Sequence, residues 1–534
     1  MSKKTIGKVL IVIPPLVNQE NDGTVQEKVD IEAFRLVSPI EPATVAADLS
    51  RRGFQVRLFD LGMVRSGKFR RLEEILLDYQ PDAVALVQSI LTFATATDWD
   101  GGQVFQLVRK VLPDAITVLS GSHACNFPGQ AVSERVCDFS IRGEVDLAMG
   151  DLFCALNEGA ELSRLSGFSG LSFLDAGGDV RISKDSPKVD LADLPVPAFE
   201  ILDASEQEAY FRMPEYGKIR FPEKSLRYRD LMTSRGCVMR CAFCCVNHLR
   251  GQKYRRKPLD MVMREVDAAL TAGIEEIHFF DDCFATDERQ ILDFCEALRQ
   301  RNLKFHWFVA QGMPLWPITK DALAAMHEVG MYRIICPFES GSDRVLKEVM
   351  GKATTVQHNH EVIGWAHALG MEIIGMFVVG MPGEQRQELL QTIQFAEHHP
   401  QIDYSVFSIA TPMVGTKLMD TLIEQGRFDD PTLLNRIIKR TVALYRTDEF
   451  SEYELGIIRV FDWDRINFST PERRAKYARM VGLTGEQLEE TRAHSAQVFQ
   501  RFFPDYDGPR SFAELVNQPH LFDGLAPLLR DGAY

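Results

Sequence analysis

Cys237, Cys241 and Cys244 stand in the run Thr233 to Cys244 at a C-x3-C-x2-C spacing. Thiolates so spaced hold a cubane iron-sulfur cluster, and an electron-carrier cluster closes all four irons with cysteine. Three thiolates leave one iron open to an external chelator, which points to an enzyme rather than an electron carrier. Zinc also takes thiolates at short spacings, but its tetrahedral sites draw on a second Cys/His pair some distance away. His248 lies close enough to be a fourth ligand, yet no second knuckle follows it. Cys245 adjoins Cys244 and is expected to be a packed thiol.

The elements that must position this loop form an alternating series from about Leu231. Strand-like runs at Arg229 to Thr233, Glu276 to Phe280, Phe305 to Val309, Tyr332 to Phe338, Glu372 to Val379 and Tyr404 to Ile409 are separated by amphipathic helical stretches. Six such units suit a partial (β/α)6 barrel, whose chemistry collects at the carboxyl ends of the strands. The distinctive residues fall there: the cysteines after the first strand, Asp281 and Asp282 after the second, Gln311 and Gly312 after the third. Phe338 to Gly341 follow the fourth, Gly380 to Glu384 the fifth, and Thr411 and Pro412 the sixth.

An earlier series covers the first 150 residues. Lys8 to Ile13, Gln55 to Asp60, Ala83 to Ser89, Ile116 to Ser120 and Phe139 to Arg142 read as strands of a doubly wound parallel α/β sheet. Ligands of such sheets lie outside the carboxyl ends of the strands. The exits carry Pro14 and Pro15, Ser89 to Thr92, Gly121 to His123, and Gly143 with Glu144, small or polar groups suited to a close backbone approach. A G-x-G-x-x-G loop is absent after the first strand, which argues against a nicotinamide dinucleotide domain. An insertion of some twenty residues after Pro15 stands in its place.

Composition fits a large multidomain enzyme: 534 residues, 45% hydrophobic and 25% charged. A net charge of -15 argues against nucleic acid as partner. Ten cysteines without a signal-peptide pattern lead us to expect a reducing, cytoplasmic location. Apolar runs such as Ile373 to Met381 are far short of the ~20 residues that span a bilayer.

The cluster loop, the run from Phe338 to Ser342 and the run from Gly380 to Glu384 resemble the radical S-adenosylmethionine (SAM) superfamily. The preceding sheet, with Gly121 to His123 and Arg142 to Glu144, resembles the cobalamin-binding domain of its cobalamin-dependent branch. The resemblance runs from about residue 8 to residue 426. Thr233 to Cys237, His248 with Gly251 to Lys253, Gln311 with Gly312, and Ala410 to Gly415 are most similar to the fosfomycin-pathway C-methyltransferase subgroup. The division so implied is a cobalamin-binding domain at 1–150, a connector at 151–228, a radical SAM barrel at 229–426 and a helical C-terminal cap at 427–534.

The resemblance implies a [4Fe-4S] cluster on the three cysteines, whose open iron chelates SAM for cleavage to a 5'-deoxyadenosyl radical. Phe243 matches the aromatic residue near the adenine, Asp281 and Asp282 the position that contacts the SAM ammonium, and Glu339 and Ser340 the ribose or carboxylate contacts. Asp281 and Asp282 are otherwise a solvated acidic loop or a helix cap. Gln311, Gly380 and Gly383 complete the SAM side. Ser89 and Thr92 match contacts to the cobalamin tail, and Gly121, Ser122, His123 and Gly143 the corrin edge. The first histidine of the chain is His123, so the D-x-H-x-x-G motif that supplies a lower axial ligand elsewhere is missing. The activity implied is methylation of an unactivated carbon of a small molecule, with one SAM as methyl donor through cobalamin and a second as radical source. Reduction would come from a donor such as flavodoxin or ferredoxin. Cobalamin-dependent cyclases and ring-contracting enzymes share this domain pair. Methylthiotransferases share the barrel and need a second cluster, for which Cys125, Cys137 and Cys154 suffice by count alone.

Overall fold

Runs of Val, Ile, Leu and Ala that are apolar on both faces become buried parallel strands, because helices must cover both sides of such a sheet. The computed structural model describes residues 5–14, 37–64, 67–87, 100–184, 186, 188–202, 204–211, 223–428, 443–502, 506–518 and 521–522. Ser89 and Thr92, and the insertion after Pro14, lie outside them. The chain divides into two compact units, one built mainly on residues 1–217 and 255–269, the other on 218–254, 270–431 and 439–534.

In the first unit β1 (Lys8–Ile13), β2 (Gln55–Asp60), β3 (Ala83–Val87), β4 (Ile116–Ser120) and β5 (Phe139–Ile141) are parallel, in the order 2-1-3-4-5. This is the doubly wound arrangement whose winding reverses beside β1. β6 (Leu171–Leu174) and β7 (Val180–Ile182) extend it antiparallel from β5. Neither stood out in the sequence: both are short, and β7 is half-buried at best. Residues 151–217, read from the sequence largely as a connector, therefore cluster with the sheet.

Alternation assigns the two faces. Val9, Ile11, Ala85 and Val118 pack against Val45 and Leu49 of α1 (Ile40–Arg51). Leu10, Val12, Leu86 and Leu119 pack against Leu72 and Leu76 of α2 (Lys68–Tyr79) and Phe105 and Val108 of α3 (Asp100–Val111). Each buried Val, Leu, Ile or Phe among them contributes roughly 1.5–3 kcal/mol through burial. The segment 255–269 returns to this unit: Met261 packs on Val189, Leu191 and Leu194, and Arg255 forks onto Glu144, with Nη1 donating to Oε2 at 2.7 Å.

The second unit is the partial barrel. Its strands are β8 (Tyr228–Leu231), β9 (Glu276–Phe279), β10 (His306–Val309), β11 (Arg333–Glu339), β12 (Glu372–Val379) and β13 (Tyr404–Ile409). They form two parallel three-stranded sheets, 10-9-8 and 11-12-13, joined by a bridge between Trp307 and Met331. Helices at Glu288–Gln300, Lys320–Glu328, Val356–Ala368 and Arg386–Glu397 alternate with the strands. The C-terminal helices lie against β13. Asn467 accepts from Ser405 N at 2.7 Å and donates to Ser405 O at 2.9 Å, and Trp463 Nε1 donates to the Tyr404 hydroxyl at 2.9 Å. An open sheet edge is a hazard when left bare, and here side chains occupy it. Among the described residues no helix is long and apolar enough to cross a membrane.

Candidate active site

The three cysteines leave β8 on a loop pinned from both sides. Asp281, fully buried just beyond β9, takes into its Oδ1 the Thr233 amide (2.8 Å) and hydroxyl (2.9 Å), and the Ser234 hydroxyl (2.7 Å) and amide. Asp282 Oδ2 accepts from Gly236 N at 2.7 Å. Gly236 sits at φ +79°, and a Cβ there would meet Lys253 O at 2.4 Å, so only glycine fits. On the far side Ala242 N donates to Met350 O and Leu418 N to Ala242 O, both at 2.9 Å. The two aspartates therefore act first as anchors of the cluster loop, and Oδ2 of Asp281 has no hydrogen-bond partner among the described residues.

The thiols are half-buried, and burial sets their acidity. It pushes Cys241 up to about 11 and Cys244 well above the ordinary range. Cys237 is held down at about 7, chiefly by a hydrogen bond with the Cys283 thiol, which outweighs burial. Metal binding needs thiolates and expels these protons. Cys245 also rises to about 11 through burial, as an inert packed thiol does. No three His, Cys, Asp or Glu side chains among the described residues converge closely enough to hold a single ion. The zinc alternative thus lacks a preformed tetrahedral site, whereas in a cubane each thiolate takes a different iron. His248 is exposed and lies against Gly415, where a Cβ would strike its ring at 2.3 Å.

Opposite the loop, β11 ends in an irregularity. Its register with β12 shifts between Pro337 and Glu339, and Glu339 adopts φ +62°, a left-handed conformation that side chains seldom take. Strain of this kind concentrates at functional sites. Glu339 is buried and pairs with Lys352 at 2.9 Å. Ser340 is fully buried and bonds to Thr392 Oγ1 at 3.0 Å, so it docks the strand exit onto helix Arg386–Glu397. Phe243 and Gln311 are half-buried.

Gly380 and Met381 donate their amides to Glu384 Oε2 at 2.8 and 3.2 Å, and the Gly380 carbonyl accepts from Tyr445 at 3.0 Å. The space a Cβ would fill at Gly380 is taken by Leu455, 2.6 Å away, whereas at Gly383 it is open. Burial raises Glu384 to about 8, so at neutral pH it is largely protonated. Its folded pKa exceeds the unfolded one, so the group costs stability as pH climbs from about 4.5 through 8. Glu384→Gln keeps the acceptor and removes the proton. Wild type should lose up to about 1.4 kcal/mol per pH unit relative to this variant across that window, read as urea midpoints that diverge from about pH 5 to pH 8.

In the first unit, Gly121 (φ +112°) and Gly143 (φ +83°) occupy backbone conformations that glycine favours at the exits of β4 and β5. Ser122 and His123 open the short helix Ser122–Asn126 and are buried. The His123 ring packs tilted against Phe127 at 5.2 Å, and burial lowers its pKa to about 4, so it is a neutral imidazole. Cys125 Sγ accepts from Gly143 N at 3.1 Å. Cys137 and Cys154 pack in the cores on opposite faces of the sheet, which rules out a shared second cluster. Sequence reasoning missed Cys283, Lys352, Tyr445 and the anchoring role of Asp281. Only Cys283, next to the two aspartates, carried any local signal.

Residues 231–396 match the Radical SAM superfamily. The chain is 27% identical over 489 residues to cytidylyl-2-hydroxyethylphosphonate methyltransferase of Streptomyces wedmorensis, covering 82% of this chain and 89% of that one. It is also 27% identical over 419 residues to an uncharacterised methyltransferase of Pyrococcus horikoshii, covering 78% and 83%. Among solved structures, the cobalamin-dependent SAM radical enzyme OxsB, with aqua-cobalamin and SAM bound, superposes with a TM-score of 0.65 at 17% identity, covering 96% of this chain and 75% of that one. That likeness establishes a shared fold. With three thiolates at the exit of the first barrel strand and the match at 231–396, the second unit contains a radical SAM domain and the chain is an enzyme.

Proposed function

We propose that the chain is a cobalamin-dependent radical SAM methyltransferase acting on an unactivated carbon of a small molecule. The observation that carries this reading is that relatives named as methyltransferases align over about four fifths of the chain, sheet and barrel together. When bound, the cluster with SAM supplies the radical and cobalamin supplies the methyl group. Cys237, Cys241 and Cys244 would hold the cluster. Phe243, Gln311, Glu339, Ser340 and Gly380 would surround SAM, with Asp281 and Asp282 acting through the loop they pin. Gly121, Ser122, His123 and Gly143 would meet the corrin, with Ser89 and Thr92 on its tail. The segments 1–150, 151–228, 229–426 and 427–534 would divide these roles, while as compact units 151–217 and 255–269 cluster with the first sheet, and a flavodoxin- or ferredoxin-type donor would deliver the electron.

The fate of SAM tests this. Incubated anaerobically with SAM, cobalamin, a strong reductant and its substrate, the full chain should form 5'-deoxyadenosine and S-adenosylhomocysteine together, near one of each per methylated product. Deoxyadenosine with product but without S-adenosylhomocysteine would move the assignment to a cyclase or ring contraction.

A further inference from the structure

Lys352 is a largely buried ammonium beside the cysteine loop. It follows a π-helical turn, Val345–Met350, a distortion frequent at functional sites, and Gly351 in the left-handed conformation. Both neighbours abut the cysteine loop: Met350 O accepts from Ala242 N at 2.9 Å, and a Cβ on Gly351 would lie 3.2 Å from Arg240 O. Arg240 and Ala242 flank Cys241. The Lys352 side chain is only 13% exposed, and its partner is Glu339, 2.9 Å away and 7% exposed. A lysine is seldom buried unless paired, and Glu339 makes this pair from a left-handed backbone.

The pair is oriented. Lys352 follows directly on the two residues that abut Arg240 and Ala242, whereas Glu339 reaches it from the end of β11. The lysine is therefore placed beside the flanks of Cys241, and the carboxylate holds it there.

We infer that Lys352 is the buried countercharge of the cluster: held by Glu339 on the side of Cys241, it stabilises the reduced cluster and sets its reduction potential. The inference rests on the cluster reading above. A cubane core with three thiolates carries net negative charge that grows by one on reduction, and net charge is among the determinants of its potential. A fixed cation in a poorly solvated site favours the more negative state. A SAM-dependent cleavage needs that reduced state, so Lys352 is a positioning residue that acts through the thiolates.

The test is an electron paramagnetic resonance redox titration of reconstituted full-length protein without SAM. Lys352→Met should reduce at least tenfold less favourably, about 59 mV for one electron. Lys352→Arg should stay near wild type, and Glu339→Gln, which removes the opposing charge, should shift the other way. Opposite signs for Lys352→Met and Glu339→Gln are what a merely structural pair would not produce. A Lys352→Met variant with full iron and sulfide and an unchanged potential overturns the inference, as do shifts of the same sign. If Lys352→Met fails to retain a cluster, the sign of the Glu339→Gln shift decides. A wild-type chain that takes up no four-iron cluster would sink the cluster reading itself.

Discussion

Alanine at Cys237, Cys241 or Cys244 should leave full-length protein that folds, retains at most a fraction of its iron and sulfide, and forms no 5'-deoxyadenosine. Each cysteine would supply one iron ligand, and a cubane already one ligand short would have no thiolate to spare. The loop itself should survive, because its anchors are Asp281, Asp282, Met350 and Leu418 rather than the thiols. Cys245→Ala is the control, since its thiol is buried and packed and should be dispensable. Iron and sulfide counts with Mössbauer spectra decide. A four-iron signal persisting in the triple variant would place a cluster elsewhere and revive the methylthiotransferase reading.

Asp281→Ala should destabilise the second unit by about 3–5 kcal/mol, because it strands two buried amides and the Thr233 hydroxyl, each orphaned donor costing roughly 1–3 kcal/mol before relaxation, while Ser234 Oγ keeps the Cys283 carbonyl. Cluster retention should fall with it. Asp281→Asn keeps an acceptor in the same place and should hold most of the stability and the iron. The pair separates an anchor from a ligand contact. If Asp281→Asn keeps its cluster and still loses SAM affinity by tenfold or more in equilibrium binding, the carboxylate touches SAM, as its position in the sequence suggested. Unchanged affinity makes it an anchor alone.

Much of this architecture could be read from residues. The strands Lys8–Ile13, Gln55–Asp60, Ile116–Ser120, Glu372–Val379 and Tyr404–Ile409 have the limits that apolar runs and their flanks implied. The cysteine loop was legible because chemistry constrains its spacing locally. What escaped depends on distance along the chain or on backbone states that residue type does not disclose. Nothing about Glu339 announces a left-handed conformation, and its partner lies thirteen positions on, beyond a π-helical turn. The protonation of Glu384 depends on burial completed in part by Tyr445 and Leu455, in a region where pattern reading faded. At Gly380 the space of the missing side chain is filled by Leu455, a neighbour that only packing reveals.

The amide of Asn467 is a peptide group on a stalk, and it presents to Ser405 the donor and acceptor that a neighbouring strand would have offered. The barrel can stop at six strands because its last one meets a counterfeit seventh. This spares the fold the two strands that full closure would demand. It also makes the C-terminal region a terminator of the sheet, held to the edge by this amide and by the Trp463 bond to Tyr404.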